Sequence, residues 1–387
     1  MYRMGKAELQ RLSRLIQSGK MYRYDGGECD LFEQRWAEHL GVKYARMTRS
    51  GTSAIYTALI GLGVGPGDQV IVPSYTYMAT ALGVLNAGAI PVMADVDESL
   101  TLCPVDLERR ITKFTRAVIP VHMVGLPCNM REIMKIARRN NLLVLEDACQ
   151  AVGGGYRGRK LGSIGHAGAF SFNFFKNISC GEGGAFAVKT KKVFDRASVA
   201  ADCCAYYWNS DIHSDDVQFA GHNFRASEFE GAIMNVQLGR LDGILAKMRK
   251  QKGEIVAAGE GAGLQSIRYN SVEHECGTHV GFLFGNEKKA RDFCDKLSLA
   301  NVPSFLPMDT GRHVYTRWHP ILREQGAHHP ALDPFKIPAN QKCRVKYSED
   351  MCQDSIDILN RSVLIGMHPD NSRARIREIS KAVISVT

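Results

Sequence analysis

No stretch of the chain reaches the roughly 18 uninterrupted apolar residues that a membrane-crossing helix needs. The N-terminus, MYRMGKAELQRLSRL, is a charged amphipathic segment without a signal-peptide core. A soluble cytoplasmic protein with no membrane partner is the expectation. Paired cysteines are lacking too: the 11 cysteines fall singly apart from Cys203-Cys204, with no C-x-x-C pair and no paired metal-ligand spacing. That pattern argues against a disulfide framework, and cysteines inside apolar runs, such as Cys103 and Cys149, read as small buried hydrophobes. His122, His166, His222, His313, His319, His328 and His329 contain no i, i+4 pair on a helical stretch, so no metal site is expected. Repeats and low-complexity tracts are absent. A clustered basic stripe is missing as well, although the formal charge is +9. The densest run, KMRKQK from Lys247 to Lys252, lies in a helical stretch and reads as a solvated face. No nucleic-acid partner is expected, and the positive surplus suits an anionic small substrate.

What is present is enough chain, 387 residues at 45% hydrophobic, for one large domain and a smaller one. Between about residues 50 and 240, helical patterns alternate with short β-rich runs: DQVIVPS, IPVMADV, RAVIPVHMV, NLLVLEDA, AGAFSFN and GGAFAVK. This alternation is the mark of an α/β fold with a mostly parallel sheet and helices on both faces. The segments TSAIYTALIGLGV, MATALGVLNAG, MREIMKIARRN and ASEFEGAIMNVQLGRLDGILAKMRKQKGEI supply the helical crossovers that parallel strands require. Past about residue 253 the character changes, with THVGFLFGN as a strand, a Pro- and His-rich stretch from Pro303 to Pro338, and a last helix capped by Ser372. The expected division is a large domain over 1–250 and a small α+β domain over 251–387, with the segment 1–24 free to pack on the small one.

Three motifs carry chemistry. In SFNFFKNISCGEGG, Lys176 is expected at a strand end, and ligands in open α/β sheets bind outside the carboxyl ends of the strands. It reads either as a surface lysine or as an amine placed to reach a cofactor. In LLVLEDACQA, an apolar strand ends in Glu146-Asp147; a carboxylate there can cap a helix or hold a cofactor's pyridinium nitrogen protonated. In RSGTSAIYTAL, hydroxyls and glycine open a helix, which is an ordinary cap or, with its free amides, a phosphate site. The G-x-G-x-x-G match at GGGYRG (153–158) is followed by turn-like sequence and reads as a loop rather than a dinucleotide site.

Together with GVGPGDQVIVPSYTYMAT, ADVD, PVHMVGLPCNM and GHNFRASEFEGAIMNVQL, these motifs resemble the DegT/DnrJ/StrS family of sugar aminotransferases from about Tyr24 to Asp242. The resemblance implies fold type I architecture and pyridoxal 5′-phosphate as cofactor. It implies that Lys176 is the Schiff-base lysine and general base, that Asp147 pairs with the pyridine nitrogen, and that Gln150 contacts the ring hydroxyl. Tyr77 would stack on the ring. Thr52, Ser53 and Ser171 would hold the phosphate, joined by Asn223 from a second subunit, which implies a homodimer with shared active sites. One branch of the family carries histidine in place of the lysine and dehydrates sugars; here the lysine is retained. The residue before it, Phe175, departs from the small residue usual in the family.

The resemblance makes L-glutamate or L-glutamine the expected amino donor. For the acceptor, residues 305–319, FLPMDTGRHVYTRWH, mix aromatic faces with cations and suit a sugar bearing a carboxylate or phosphate. The order of elements in this region is faintly similar to the family's 8-amino-Kdo enzymes, which aminate an oxidised 3-deoxy-octulosonate at carbon 8. Nucleotide-linked keto sugars are the commoner substrates. Other pyridoxal-phosphate chemistry and a non-catalytic binding module on the same fold are the competing readings.

Overall fold

The computed structural model describes residues 4–203, 205–208, 212 and 217–387. Its large sheet is built from β1 (Tyr44–Thr48), β2 (Gln69–Pro73), β3 (Ile90–Ala94), β4 (Thr115–Val118), β5 (Leu143–Asp147), β8 (Ala167–Ser171) and β9 (Gly184–Val188). Between β5 and β8, the glycine-rich 153–158 segment forms a small hairpin of β6 (Gly155–Tyr156) and β7 (Arg159–Lys160), as its turn-like sequence indicates. The strand order is β1-β9-β8-β5-β4-β2-β3. Parallel pairs join β3, β2, β4, β5 and β8, while β9 runs antiparallel to both neighbours.

The reversal of β9 has a local cause. No helical crossover lies between β8 and β9; Ser171 pairs with Gly184, and residues 172–183 double back as a hairpin loop. Lys176 is therefore beyond the end of β8, inside that loop, and not on the strand end expected from the sequence. The other strands are connected through helices, including Gly51–Gly61, Ala79–Asn86 and Met130–Arg139. The stretch 226–255 is two helices, Glu228–Leu238 and Leu241–Gly261, broken at Gly239-Arg240; the second runs continuously across position 250.

Each face of the large sheet is covered by apolar side chains. On one side Trp36 meets Phe170 edge-on at 5.0 Å, and Phe32 meets Phe172 at 5.4 Å. All four rings are fully buried, and each contributes about 2–3 kcal/mol of hydrophobic stabilisation. The N-terminal helix Lys6–Ser18 packs against helix Glu228–Leu238: its buried Glu8 accepts from Gln237 at 2.7 Å and pairs with Arg240, just past that helix, at 2.7 Å.

The second sheet holds β10 (Gln265–Ser266), β11 (His279–Leu283), β12 (Ser304–Phe305) and β13 (Ser362–Gly366), in the order β10-β11-β13-β12 and antiparallel throughout. The last helix, Arg373–Ser385, is capped by the Ser372 side chain accepting from the Arg375 amide. No helix among the described residues is long and apolar enough to cross a membrane. Cys204 lies outside the described residues, and the other cysteines are free thiols.

Candidate active site

A cavity of about 740 Å³ opens where β5 and β8 end, between the start of helix Gly51–Gly61 and the edge of the second sheet. Thr52, Tyr77, Asp147, Gln150, Ser171 and Lys176 all line it. These residues are far apart in sequence, and the topology brings them to the carboxyl ends of β5 and β8.

Asp147 is the last residue of β5 and is 4% exposed. Its Oδ2 accepts from the Thr80 hydroxyl at 2.7 Å, and its Oδ1 from the Cys149 amide at 3.0 Å. Because Thr80 donates to the carboxylate, the Thr76 hydroxyl 2.8 Å away donates to Thr80, so a relay of two buried hydroxyls orients Asp147. Neither threonine stands out in the sequence; the available signal was the place of Thr76 and, one helical turn beyond it, of Thr80 within GVGPGDQVIVPSYTYMAT.

Lys176 is held by its loop rather than by a strand. The Asn173 side-chain oxygen accepts from the Phe175 amide at 3.1 Å and its carbonyl from the Lys176 amide at 2.9 Å, a tight asparagine turn. Buried Asn177 donates to the Val152 carbonyl at 2.8 Å and pins the other side. Phe175, the departure from the family pattern, is 80% exposed at the cavity mouth, so its bulk is turned away from the cavity floor.

Helix Gly51–Gly61 begins with a capping box. Ser53 spends its amide on the Ser50 hydroxyl at 3.1 Å and its own hydroxyl on the Ser50 amide at 3.0 Å. Ser53 is thereby separated from Thr52: it serves the cap and does not line the cavity. The amides of Gly51 and Thr52, by contrast, have no acceptor among the described residues, as expected for the first turn of a helix. Gly51 is packed against the strand ends so closely that a Cβ there would meet Cys149 Sγ at 2.7 Å and Ser171 Cβ at 2.8 Å. Two free amides, the Thr52 and Ser171 hydroxyls and the positive end of a helix make a cradle for a phosphate. Asn223 is exposed and does not line this cavity; it is bridged to Asp202.

The C-terminal wall supplies residues that the motifs did not single out: Thr278, His279, Arg312, His313 and Met367. The ring of His313 is 5.8 Å from that of Tyr77, and its Nδ1 is buried without a partner among the described residues. Burial, reinforced by Arg312 and Lys176, pushes this imidazole down to about 4, so it is neutral at physiological pH. His279 is also held down to about 4 by burial, against the raising effect of its bond to Val124 and with help from Lys252. His313 falls inside the aromatic and basic segment 305–319 that the sequence marked for the acceptor. His279 and Thr278 had no such signal.

Pyridoxal 5′-phosphate fits these residues. An amine, a buried carboxylate for a ring nitrogen, an amide for a ring hydroxyl, an aromatic face and an anion cradle of two free amides share one cavity. The chain is 40% identical over 227 residues to GDP-perosamine synthase of Caulobacter vibrioides, covering 57% of this chain and 59% of that relative. It is 35% identical over 299 residues to the spore coat polysaccharide biosynthesis protein SpsC of Bacillus subtilis, covering 74% and 75%. The first alignment thus spans about three fifths of the relative's length. Among solved structures, an aminotransferase from Psychrobacter cryohalolentis superposes with a TM-score of 0.81 at 27% identity, over 99% of this chain and 97% of that one. With the DegT/DnrJ/EryC1/StrS aminotransferase family model matching residues 3–282, the chain belongs to that pyridoxal-phosphate-dependent, fold type I family.

Proposed function

We propose that this protein is an aminotransferase of amino-sugar biosynthesis, moving an amino group from L-glutamate or L-glutamine to a keto or aldehyde sugar. The observation that carries the reading is the convergence of Lys176 and Asp147 on one cavity beside the free amides of Gly51 and Thr52. The name of the Caulobacter relative supports a nucleotide-linked acceptor, and a 3-deoxy-octulosonate-type acceptor is the alternative drawn from the C-terminal resemblance.

Bound pyridoxal phosphate supplies an electron sink for charge developing at the donor's α-carbon. Asp147, fixed by Thr80 and Cys149, would accept from the ring nitrogen and keep it protonated. Gln150 would donate to the ring hydroxyl oxygen, Tyr77 would cover one face of the ring, and Thr52 and Ser171 would hold the phosphate with the two amides. Lys176 would hold the cofactor covalently and, once freed by the donor, its Nζ would carry the proton that leaves the α-carbon. Exposed Asn223 would reach the phosphate of a second subunit's site, making the working form a cytoplasmic homodimer.

The test begins with the visible absorbance of the purified protein loaded with pyridoxal phosphate. A band that is lost in Lys176→Ala, and that L-glutamate or L-glutamine converts to the amine form in the wild type, supports the reading. A protein with Lys176 intact that neither takes up the cofactor nor responds to any amino donor overturns it. A screen of keto sugars against the amine form then identifies the acceptor.

A further inference from the structure

The turn at Met123–Gly125, beside the cavity, carries backbone strain. Val124 is buried and β-branched, yet its backbone lies in the left-handed region at φ 48 and ψ 31. A branched side chain is a rare occupant of that region, because its Cβ crowds the neighbouring carbonyl. Such strain persists only where the surroundings over-determine it.

Here they do so from two sides. The Val124 carbonyl accepts from the Thr278 hydroxyl at 2.5 Å and from His279 Nδ1 at 3.2 Å, which uses both of its lone pairs. The neighbouring Gly125 carbonyl accepts from the Cys276 amide at 3.1 Å, so residues 276–279, leading into β11, clamp the turn. Gly125 itself, at φ 82, has no room for a side chain, since a Cβ would meet the Cys276 Cβ at 2.9 Å. The Thr278 carbonyl in turn accepts from the Met367 amide at 2.7 Å, beyond the end of β13.

On the other side, the Val124 amide donates to Gln150 Oε1 at 3.2 Å. A backbone N–H can only donate, so the atom facing it must be the oxygen of the Gln150 amide. Turning that amide over would set two donors against each other. The Nε2 end, which has no acceptor among the described residues, is left for the cavity that Gln150 lines.

We propose that Val124 is a positioning residue for the cofactor: clamped in its left-handed turn by Thr278 and His279, it fixes the Gln150 amide with its donor end toward the ring hydroxyl and ties that contact to the C-terminal sheet. The proposal rests on the reading that Gln150 contacts the ring. A ring oxygen carrying negative charge needs a donor, and a freely rotating amide would present its carbonyl oxygen for part of the time.

The experiment compares five proteins loaded with pyridoxal phosphate: wild type, Thr278→Val, Thr278→Ser, Gln150→Ala and the double variant Thr278→Val/Gln150→Ala. The readouts are the position and pH titration of the visible band, and the cofactor dissociation constant measured by equilibrium dialysis. Thr278→Val should move the band in the same direction as Gln150→Ala and weaken cofactor binding about threefold, the scale of one lost neutral hydrogen bond. Thr278→Ser, which keeps the hydroxyl, should restore both. The double variant should match Gln150→Ala alone, because Thr278 acts through Gln150. Independent effects that add in the double variant, or a Thr278→Val band identical to wild type, would overturn the positioning role while leaving Gln150 in contact with the ring. A Gln150→Ala protein with unaltered band and affinity would instead remove the Gln150 contact itself, and the proposal with it.

Discussion

The last two residues of β5 are both buried acids, and they face opposite sides of the large sheet. Strand alternation sends Asp147 to the cavity side, with Leu145, and Glu146 to the other, with Val144. Asp147 accepts two hydrogen bonds and lines a cavity. Glu146, with no exposed surface, is saturated: it accepts from the amides of Ile164 and Gly165 at 2.6 Å each, from Gly162 at 3.0 Å, and meets His122 Nε2 at 3.1 Å. The Cys128 amide donates to His122 Nδ1 at 3.1 Å, so Nε2 is the protonated nitrogen and donates to the carboxylate. Two adjacent residues of one chemical type thus divide the work, one lining the cavity and one tying a loop to the sheet.

That division is broken most sharply by substitution. Asp147→Ala should lower transamination about a thousandfold, the loss typical of a key electrostatic contact to a reacting centre, with little change in thermal midpoint of the apoprotein. Glu146→Gln should do the reverse. Any rotamer of the new amide turns its NH2 group toward backbone donors, so unfolding should become easier by about 3 kcal/mol, read from denaturant midpoints. Activity per folded molecule should stay near wild type. If Glu146→Gln lost activity without losing stability, the two acids would not be separable in this way.

The same pair shows where sequence reasoning stops. The strand, its polar end and the carboxylate at 147 were legible because apolar periodicity and a motif are local properties. The purpose of Glu146 was not, since its partners are backbone amides of Gly162, Ile164 and Gly165, which leave no trace in side-chain pattern. The strands of the large sheet were legible for the same reason as β5, but the direction of β9 was not carried by periodicity. The absence of a helical pattern between Ser171 and Gly184 was the one available sign of a hairpin. In the site, the floor came from motifs, whereas Thr278 and His279 reach it only because the second sheet packs against the Val124 turn.

The cavity wall offers a smaller effect that extends the contrast. His279 and His313 are both held at about 4 in the folded protein, against about 6.5 for an unperturbed imidazole. Between these values the unfolded chain binds protons that the folded chain refuses. Their contribution is therefore fully present above pH 6.5 and is lost as pH falls toward 4. The denaturation midpoint should fall over that interval, and less steeply in His279→Gln/His313→Gln. An identical slope in the double variant would show that these imidazoles do not stay neutral in the fold.

The smallest expected effect separates neighbours one residue apart. Thr52 and Ser53 stand side by side in a motif that implied phosphate contact for both, yet only Thr52 lines the cavity, while Ser53 closes the capping box with Ser50. Ser53→Ala should cost about 1 kcal/mol of stability, the scale of one lost hydrogen bond, because the Ser50 amide loses its acceptor in the capping box, and leave cofactor affinity unchanged. Thr52→Val should leave stability almost untouched and weaken cofactor retention several-fold, because a hydroxyl is removed from the cradle while the two amides and Ser171 remain. Equilibrium dialysis against pyridoxal phosphate, set beside denaturant midpoints of the apoproteins, distinguishes the two. Weaker cofactor binding in Ser53→Ala at unchanged stability would mean that its hydroxyl leaves the cap when the anion arrives, and that the first helical turn rearranges around the phosphate instead of waiting for it ready-made.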